Sequence, residues 1–321
     1  GNTLHYDATN PEAREYVWNK AKANYYDKGV KIFWLDEAEP EYSVYDFENY
    51  RYHLGPDIQV GNVYPVMYAK TFFDGMKAAG QENIINLLRC AWAGSQRYGA
   101  LVWSGDIKSS FSSMKNQVAA GLNMGIAGIP WWTTDIGGFF GANIHDPEFH
   151  ELLIRWFEYG CFCPVMRLHG YRWPLQPQYG TTGGATCISG APNEVWSYTD
   201  QVYKILSDYL RLRERMLPYI TELMKEAHEK GTPVMRPLFY DFSSDPNSWN
   251  IENEYMFGPK VLVKPITDKD SRETDVYLPA GAHWTNAWTG ETFEGGQTVH
   301  IQAPLEQIPL FTRDGYVLPL K

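Results

Sequence analysis

The 321-residue sequence has few cysteines, no long apolar run and no excess of positive charge. Four cysteines are too few for a disulfide framework in a chain of this length. No run of 18 or more apolar residues occurs, which argues against a membrane span. The formal net charge is −10 and no lysine or arginine block is present, which argues against a nucleic-acid partner. The sequence therefore predicts an ordinary globular protein whose charge is compatible with an uncharged ligand.

Signals for a metal or phosphate site are also missing. His53, His145 and His150 have neither the i, i+4 pairing nor the carboxylate spacing of a metal site. Cys161 and Cys163 lack a second pair or a histidine cluster, so we expect buried thiols in a predicted strand. No glycine-rich loop follows a strand. We therefore expect neither a metal nor another cofactor.

The first residues give little information about location. The chain starts without Met in a polar stretch, which we interpret as a missing N-terminal part of the gene product. No signal peptide is visible, and this favours a cytoplasmic over a secreted protein.

Acidic residues stand where a short apolar run stops. Residues 30–35 follow a helix-ending Asp-Lys-Gly and predict a buried parallel strand, and Pro40 prevents further sheet. Asp36 and Glu39 come directly after this strand. In a parallel α/β fold, the carboxyl ends of strands face the mouth where ligands bind. These acids therefore predict a site, although acids after a strand also cap helices.

A second predicted strand, residues 100–103, runs into Trp-Ser-Gly-Asp and supplies a further carboxylate, Asp106. Hydrolysis of a glycoside with retention requires a nucleophilic carboxylate and an acid/base carboxylate about 5 to 5.5 Å apart. Two aspartates at strand ends on one barrel mouth can satisfy this requirement.

Four motifs resemble glycoside hydrolase family 31, the α-glucosidases and α-xylosidases. Residues 33–39 read Phe-Trp-Leu-Asp-Glu-Ala-Glu, and residues 103–106 read Trp-Ser-Gly-Asp. Residues 128–139 read Gly-Ile-Pro-Trp-Trp-Thr-Thr-Asp-Ile-Gly-Gly-Phe. Residues 162–170 read Phe-Cys-Pro-Val-Met-Arg-Leu-His-Gly. Each motif is weak alone, but the four stand in the family's order.

The resemblance implies roles for particular residues. Asp36 would be the nucleophile and Asp106 the acid/base, while Glu39 would orient the nucleophile or contact the sugar. The residues implied to hold the sugar hydroxyls are Arg89, Asp135, Arg167 and His169.

Three tryptophans, Trp34, Trp103 and Trp132, could pack against the apolar face of the sugar ring. For Arg89 a structural ion pair beneath the site stays open, and for Trp132 a core position stays open.

The predicted architecture is an α/β barrel of the (β/α)8 type, represented by about strands 4–8 and followed by a small β-sandwich. The predicted strands are 30–35, 84–89, 100–103, 126–131 and 162–166. A long amphipathic helix over 203–230 would be the last barrel helix, kinked at Pro218. After Thr232, short alternating runs replace helices. We therefore divide the chain into a barrel portion, 1–232, and a sandwich, 233–321.

The resemblance implies a retaining α-glycosidase that removes terminal α-linked xylose or glucose from oligosaccharides. Residues 6–11 and 34–41 favour an α-xylosidase over an α-glucosidase. A second hypothesis is a catalytically silent truncated piece, because five barrel strands leave unpaired edges. Such edges predict a homodimer or association with a missing N-terminal half. A third hypothesis, a metal-dependent barrel hydrolase, would require loss of activity with a chelator.

Overall fold

The computed structural model describes residues 5–40 and 47–320. The chain forms two compact units, Gly1–Trp103 and Ser104–Lys321. Within the described residues, the structure contains no helix with the length and apolar character needed to cross a bilayer.

The first unit contains a parallel sheet flanked by helices. Its helices are α1 (Pro11–Asn24), α2 (Asp57–Val60) and α3 (Tyr64–Ala78). Its strands are β1 (Trp34–Leu35), β2 (Arg51–Tyr52), β3 (Gly55–Pro56), β4 (Asn86–Leu88) and β5 (Ala100–Trp103). Strand β4 lies between β1 and β5 and pairs with both in parallel, with Leu35 opposite Leu88 and Leu88 opposite Val102. The predicted strands at 84–89 and 100–103 are confirmed, the first of them shorter than predicted. The prediction of a buried strand at 30–35 is wrong in extent and burial, because only Trp34–Leu35 pairs with β4 and Val30, Ile32 and Trp34 are exposed.

Helix α1 begins where its capping residues predict. The side chain of Asn10 accepts a hydrogen bond from the backbone N–H of Glu12, and Pro11 occupies the first turn. Trp18 on this helix packs against Gly75 of α3, where an added Cβ would lie 2.1 Å from the indole. The same indole meets the ring of Phe33, with centroids 6.4 Å apart. This contact holds α1 and α3 against the segment that leads into β1.

The second unit contains the remaining helices and an antiparallel β-rich region. Its helices are α4 (Phe111–Ile126), α5 (Pro147–Cys161), α6 (Asp200–Arg215), α7 (Leu217–Lys230) and α8 (Leu238–Asp241). Its first strands are β6 (Trp132–Thr133), β7 (Ala142–Asn143) and β8 (Arg172–Trp173). Then follow β9 (Met235–Pro237), β10 (Tyr255–Phe257), β11 (Val261–Val263), β12 (Glu273–Leu278), β13 (His283–Asn286), β14 (Thr292–Glu294), β15 (Gln297–Gln302) and β16 (Leu310–Arg313).

Two strand predictions in this unit are wrong in extent or type. Residues 126–131 precede the strand, because α4 continues to Ile126 and β6 starts at Trp132. Residues 162–166 form no strand, since α5 extends to Cys161 and a turn follows. Phe162 and Cys163 are buried in this turn, so the apolar composition of the run reflects burial and not strand geometry. Cys161 therefore ends a helix, and burial raises the pKa of its thiol to about 12.

The predicted long helix over 203–230 is two helices. It breaks at Met216, and Pro218 lies in the first turn of α7. Proline has no backbone N–H to donate to the preceding turn, so a new helix starts there. Gly231 ends α7 with a positive φ of 71°.

The region after Thr232 has the predicted sandwich pattern. Six antiparallel strands lie in the order β14, β13, β16, β11, β10 and β9, and β12 pairs with β15. Buried side chains from both sheets form one apolar cluster around Trp284, Leu262 and Val276. The two-stranded sheet of β12 and β15 thus packs against the six-stranded sheet, as a β-sandwich requires.

A buried arginine joins α5 to the β-rich region. Arg155 Nη2 donates to the carbonyls of Ser271 at 3.0 Å and Ala303 at 2.8 Å. Its Nη1 lies 3.1 Å from Glu158 Oε2, and the hydroxyl of Tyr209 donates to Glu158 Oε1 at 3.0 Å. Arg155 and Glu158 are completely buried. Helix α5 is thus bonded to loops of the sandwich through one polar cluster.

Burial raises the pKa of Glu158 to about 7, although Arg155 opposes the shift. The group is therefore protonated more readily in the folded chain than in the unfolded one. Its stabilising contribution is complete below pH 4.5, its ordinary pKa, and is lost as the pH rises through 7. Relative to Glu158→Gln, we expect the wild type to lose about 3 kcal/mol of unfolding free energy between pH 4.5 and 8.

Urea unfolding of both variants at several pH values measures this difference. Glu214→Gln, an exposed change on α6, is the matched control and should leave the difference from wild type independent of pH. A Glu158→Gln difference that does not change with pH would show that Glu158 is ionised throughout this range.

Candidate active site

Asp36 lies directly after β1, at the carboxyl end of the parallel sheet. Its side chain is 50% exposed, so it faces an open edge and not the core. The backbone N–H of Glu37 donates to Asp36 Oδ1 at 2.9 Å. This bond holds one carboxylate oxygen in place and thereby sets the orientation of the second oxygen. Such an arrangement suits a carboxylate that must meet a substrate.

Arg89 connects Asp36 to Glu39. It follows β4, whose Leu88 is opposite Leu35, so sheet pairing brings the two strand ends together. Arg89 Nε donates to Glu39 Oε1 at 2.7 Å, and Nη2 donates to Oε2 at 2.9 Å. Its Nη1 lies 3.5 Å from Asp36 Oδ1. A bidentate pair fixes the guanidinium plane, and the guanidinium then positions the Asp36 carboxylate.

Two of the predicted tryptophans pack against each other in this unit. The rings of Trp34 and Trp103 are 5.6 Å apart and perpendicular, an edge-to-face contact. Trp103 is buried, whereas Trp34 is 47% exposed. Trp34 is therefore the ring of this pair that a ligand can reach, and Trp103 supports it.

Asp106 lies in a loop of the second unit that backbone bonds hold in place. Its side chain is exposed. The N–H of Phe139 donates to Ile107 O at 2.7 Å, and the N–H of Ser109 donates to Phe140 O at 2.8 Å. Gly138 has a φ of 77°, and a Cβ there would lie 2.6 Å from the Ser109 backbone. Only glycine therefore allows this close approach beside Asp106.

Asp135 and Arg167 form a second carboxylate–guanidinium pair. Arg167 Nη2 donates to Asp135 Oδ1 at 2.5 Å, and the Asp135 side chain is fully buried. Burial raises the pKa of Asp135 to about 7, the charge of Asp106 acts in the same direction, and Arg167 opposes both. The pair offers fixed donors and acceptors of the kind that recognise hydroxyl groups.

The other two predicted residues of this unit have different surroundings. The ring of His169 stacks on Phe139, with centroids 5.6 Å apart and planes 23° apart. Trp132 is buried and packs against Gly121 of α4, where a Cβ would lie 2.6 Å from Nε1. His169 is therefore adjacent to the loop that holds Asp106, whereas Trp132 occupies a core position.

Arg172 is a positioning residue that the sequence did not reveal. This buried side chain donates to the carbonyls of Ile136 at 3.2 Å and Gly138 at 2.8 Å, and to Asn193 Oδ1 at 3.1 Å. It thereby fixes the turn that follows Asp135. An isolated arginine gives no sequence pattern from which this contact network could be predicted.

The described ranges contain no cluster of three or more histidine, cysteine or acidic side chains placed to hold a metal ion. The four cysteines, Cys90, Cys161, Cys163 and Cys187, are free thiols. We refer to two clusters: Asp36, Glu39, Arg89, Trp34 and Trp103 in the first unit, and Asp106, Asp135, Arg167 and His169 in the second. The groups available for chemistry in these two clusters are carboxylates, guanidiniums, imidazole and indole.

Comparison with known domain families gives matches over nearly the whole chain. Residues 1–223 match the family described as the glycosyl hydrolases family 31 TIM-barrel domain. Residues 231–318 match the glycosyl hydrolase family 31 C-terminal domain. The prediction of a barrel portion followed by a β-sandwich is thus confirmed.

Individual relatives agree with these matches. An α-xylosidase of Saccharolobus solfataricus is 36% identical over 96% of this chain and 40% of its own length. A family 31 glucosidase, ORF2, of Pseudescherichia vulneris, itself described as uncharacterized, is 67% identical over 54% of this chain and 33% of its own length. A solved α-xylosidase from a soil metagenome, complexed with xylose, is 59% identical with a TM-score of 0.95, covering 99% of this chain and 47% of that one.

The chain spans less than half of the length of each of these relatives. The family assignment does not depend on the remainder, because the barrel-domain match alone covers more than two thirds of the chain. The chain belongs to glycosyl hydrolase family 31.

Proposed function

We propose that the chain carries the catalytic residues of a retaining α-glycosidase that releases terminal α-linked xylose from oligosaccharides. The observation that supports this most strongly is the likeness to the soil-metagenome α-xylosidase, which is complexed with xylose. The likeness, at 59% identity, covers 99% of this chain.

In the proposed mechanism, a carboxylate oxygen of Asp36 attacks the anomeric carbon while Asp106 protonates the departing glycosidic oxygen. The bond to the leaving group breaks as the ester to Asp36 forms. Asp106, now ionised, then takes a proton from water, whose oxygen attacks the same carbon and releases Asp36. Arg89 supports the first step because it holds Asp36 in place without accepting a proton itself.

Sugar recognition is proposed for the remaining members of the two clusters. Asp135 and Arg167 are already fixed against each other at 2.5 Å, so they lose little freedom when hydroxyl groups bind. His169 would add a further polar contact. Trp34 would cover an apolar face of the ring, and we assign Trp103 and Trp132 to packing beneath the site.

An α-glucosidase is the second candidate function. It is favoured by the glucosidase description of the 67% identical relative and by an α-glucosidase of Bacillus thermoamyloliquefaciens, 32% identical over 98% of this chain. Xylose and glucose differ by one hydroxymethyl group. A pocket wall that excludes this group discriminates by about tenfold to a few hundredfold.

Paired aryl α-xyloside and aryl α-glucoside substrates test the choice between these functions. We expect kcat/KM to be at least about tenfold higher for the xyloside, because the larger sugar must displace a wall fitted to xylose. The aryl group is the same in both substrates, so leaving-group effects cancel. A preference for the glucoside would overturn the xylose assignment and leave the retaining mechanism intact.

We further propose that activity depends on association of this chain with more polypeptide, either a second copy or the portion of the family fold that the match does not cover. Within the described residues, β1 is hydrogen-bonded along one side by β4, and an open strand edge invites pairing. The concentration dependence of specific activity measures this. Our proposed division at 232 lies between α7, which ends at Lys230, and β9, which begins at Met235.

A further inference from the structure

A stacked aromatic pair lies on the surface of the β-rich region, within the second unit. The rings of Phe239 and Trp249 are parallel to within 7° and 4.7 Å apart. Trp249 is nevertheless 56% exposed. Since Phe239 covers one face of the indole, the exposed area belongs largely to the opposite face. The catalytic clusters described above do not use this indole.

The indole is held in one orientation before any ligand binds. Trp249 Nε1 donates to the carbonyl of Ser243 at 3.0 Å, which fixes the ring edge. The turn that carries it, Pro246–Asn250, starts at Asp245, whose carboxylate accepts from the Tyr277 hydroxyl at 2.6 Å and the Ala280 N–H at 2.8 Å. A flat ring fixed in this way loses little freedom on binding.

The surroundings of the ring are polar, and the exposed surface of the ring is small. The residues close to it in sequence include exposed hydroxyl and amide side chains, those of Ser243, Ser244, Asn247 and Asn250. A 56% exposed tryptophan presents roughly 100 to 150 Å², whereas a stable protein interface buries about 800 Å² on each partner. The patch is thus too small and too polar at its rim for a protein partner.

We propose that Trp249 is a sugar-binding platform, separate from the catalytic residues, that takes the neutral α-xylosylated oligosaccharide on which the enzyme acts. The C–H bonds on one face of a pyranose ring carry partial positive charge and meet the negative face of the indole. The flanking hydroxyl and amide groups bond to the sugar hydroxyls. The choice of oligosaccharide rests on the proposed function, but the platform itself does not depend on catalysis.

The test measures binding apart from turnover. The whole chain carrying Asp36→Ala is titrated with a xyloglucan heptasaccharide, and the Kd is read from calorimetry. Adding Trp249→Ala should weaken one binding event by at least about tenfold, as expected for loss of a stacked ring. Trp196→Ala, which removes another exposed tryptophan, is the matched control and should leave that event unchanged.

A second measurement separates this proposal from the proposed function. Trp249→Ala alone should leave kcat/KM for an aryl α-xyloside unchanged, because the contacts of Trp249 are with Phe239 and Ser243 and not with the proposed catalytic residues. An unchanged Kd in Trp249→Ala, or no binding of the heptasaccharide outside the catalytic site, would overturn the platform. A Trp249-dependent dimer in sedimentation experiments would also overturn it, in favour of a protein partner. Inactivity toward the aryl xyloside with Trp249-dependent binding retained would count against the proposed function alone.

Discussion

Asp36→Ala is expected to lower kcat/KM for an aryl α-xyloside by about 10⁴-fold or more, because no covalent intermediate can form without the carboxylate. The loss should be in kcat, since the substituted side chain is small and sugar recognition rests on other residues. Initial rates with wild type and variant at equal folded concentration measure it. Circular dichroism should be unchanged, because Asp36 is half exposed at a strand end.

Azide distinguishes a lost nucleophile from a damaged site. In Asp36→Ala the vacated space admits azide, which attacks the anomeric carbon once and gives the β-xylosyl azide, with inverted configuration. Glu37→Gln is the matched control, since it changes the adjacent exposed carboxylate and should retain nearly full activity. Activity that survives Asp36→Ala without azide would refute the nucleophile assignment.

The parts of the fold that could be predicted are those that local rules specify. Helix α1 follows from Asn10, Pro11 and the acidic first turn, and its observed cap has that geometry. Strand β5 has the predicted bounds, since an apolar run between turn residues is a local signal. The same rule failed at 162–166, where a turn after α5 buries Phe162 and Cys163, so that its apolar composition resembles that of a buried strand.

The candidate site was predicted residue by residue but not contact by contact. The sequence identified Arg89 and Glu39 as members of a site, yet whether Arg89 holds sugar or another protein group depends on which side chains the sheet register places together. The structure gives a bidentate bond to Glu39 and a contact with Asp36. Fifty residues separate Arg89 from Glu39, so no local pattern specifies that pair.

Arg172 shows more clearly which kind of residue could not be predicted from the sequence. Its role depends on carbonyl groups of residues 136–138, and backbone carbonyls have no residue-type signature. The close packing of Gly170 against its guanidinium is equally a property of the folded chain. Sequence motifs therefore do not reveal residues that position a site through backbone contacts.

Asp106→Ala should show a different kinetic pattern from Asp36→Ala, because an acid is needed only when the leaving group is poor. For a dinitrophenyl α-xyloside, whose leaving group departs without protonation, the first step should be nearly unaffected. For a xylose-terminated disaccharide, the rate should fall by about 10² to 10⁴-fold. Steady-state rates across leaving groups of graded basicity measure the difference.

The second step should also become slower in Asp106→Ala, because the attacking water loses its general base. The glycosyl-enzyme should therefore accumulate. Azide needs no base, and it should release the sugar as the α-xylosyl azide, with retained configuration. The two variants therefore differ in the anomer of a single product, which nuclear magnetic resonance resolves directly. Formation of the β-azide by Asp106→Ala would exchange the two assigned roles, because the anomer reports whether Asp36 still forms the intermediate.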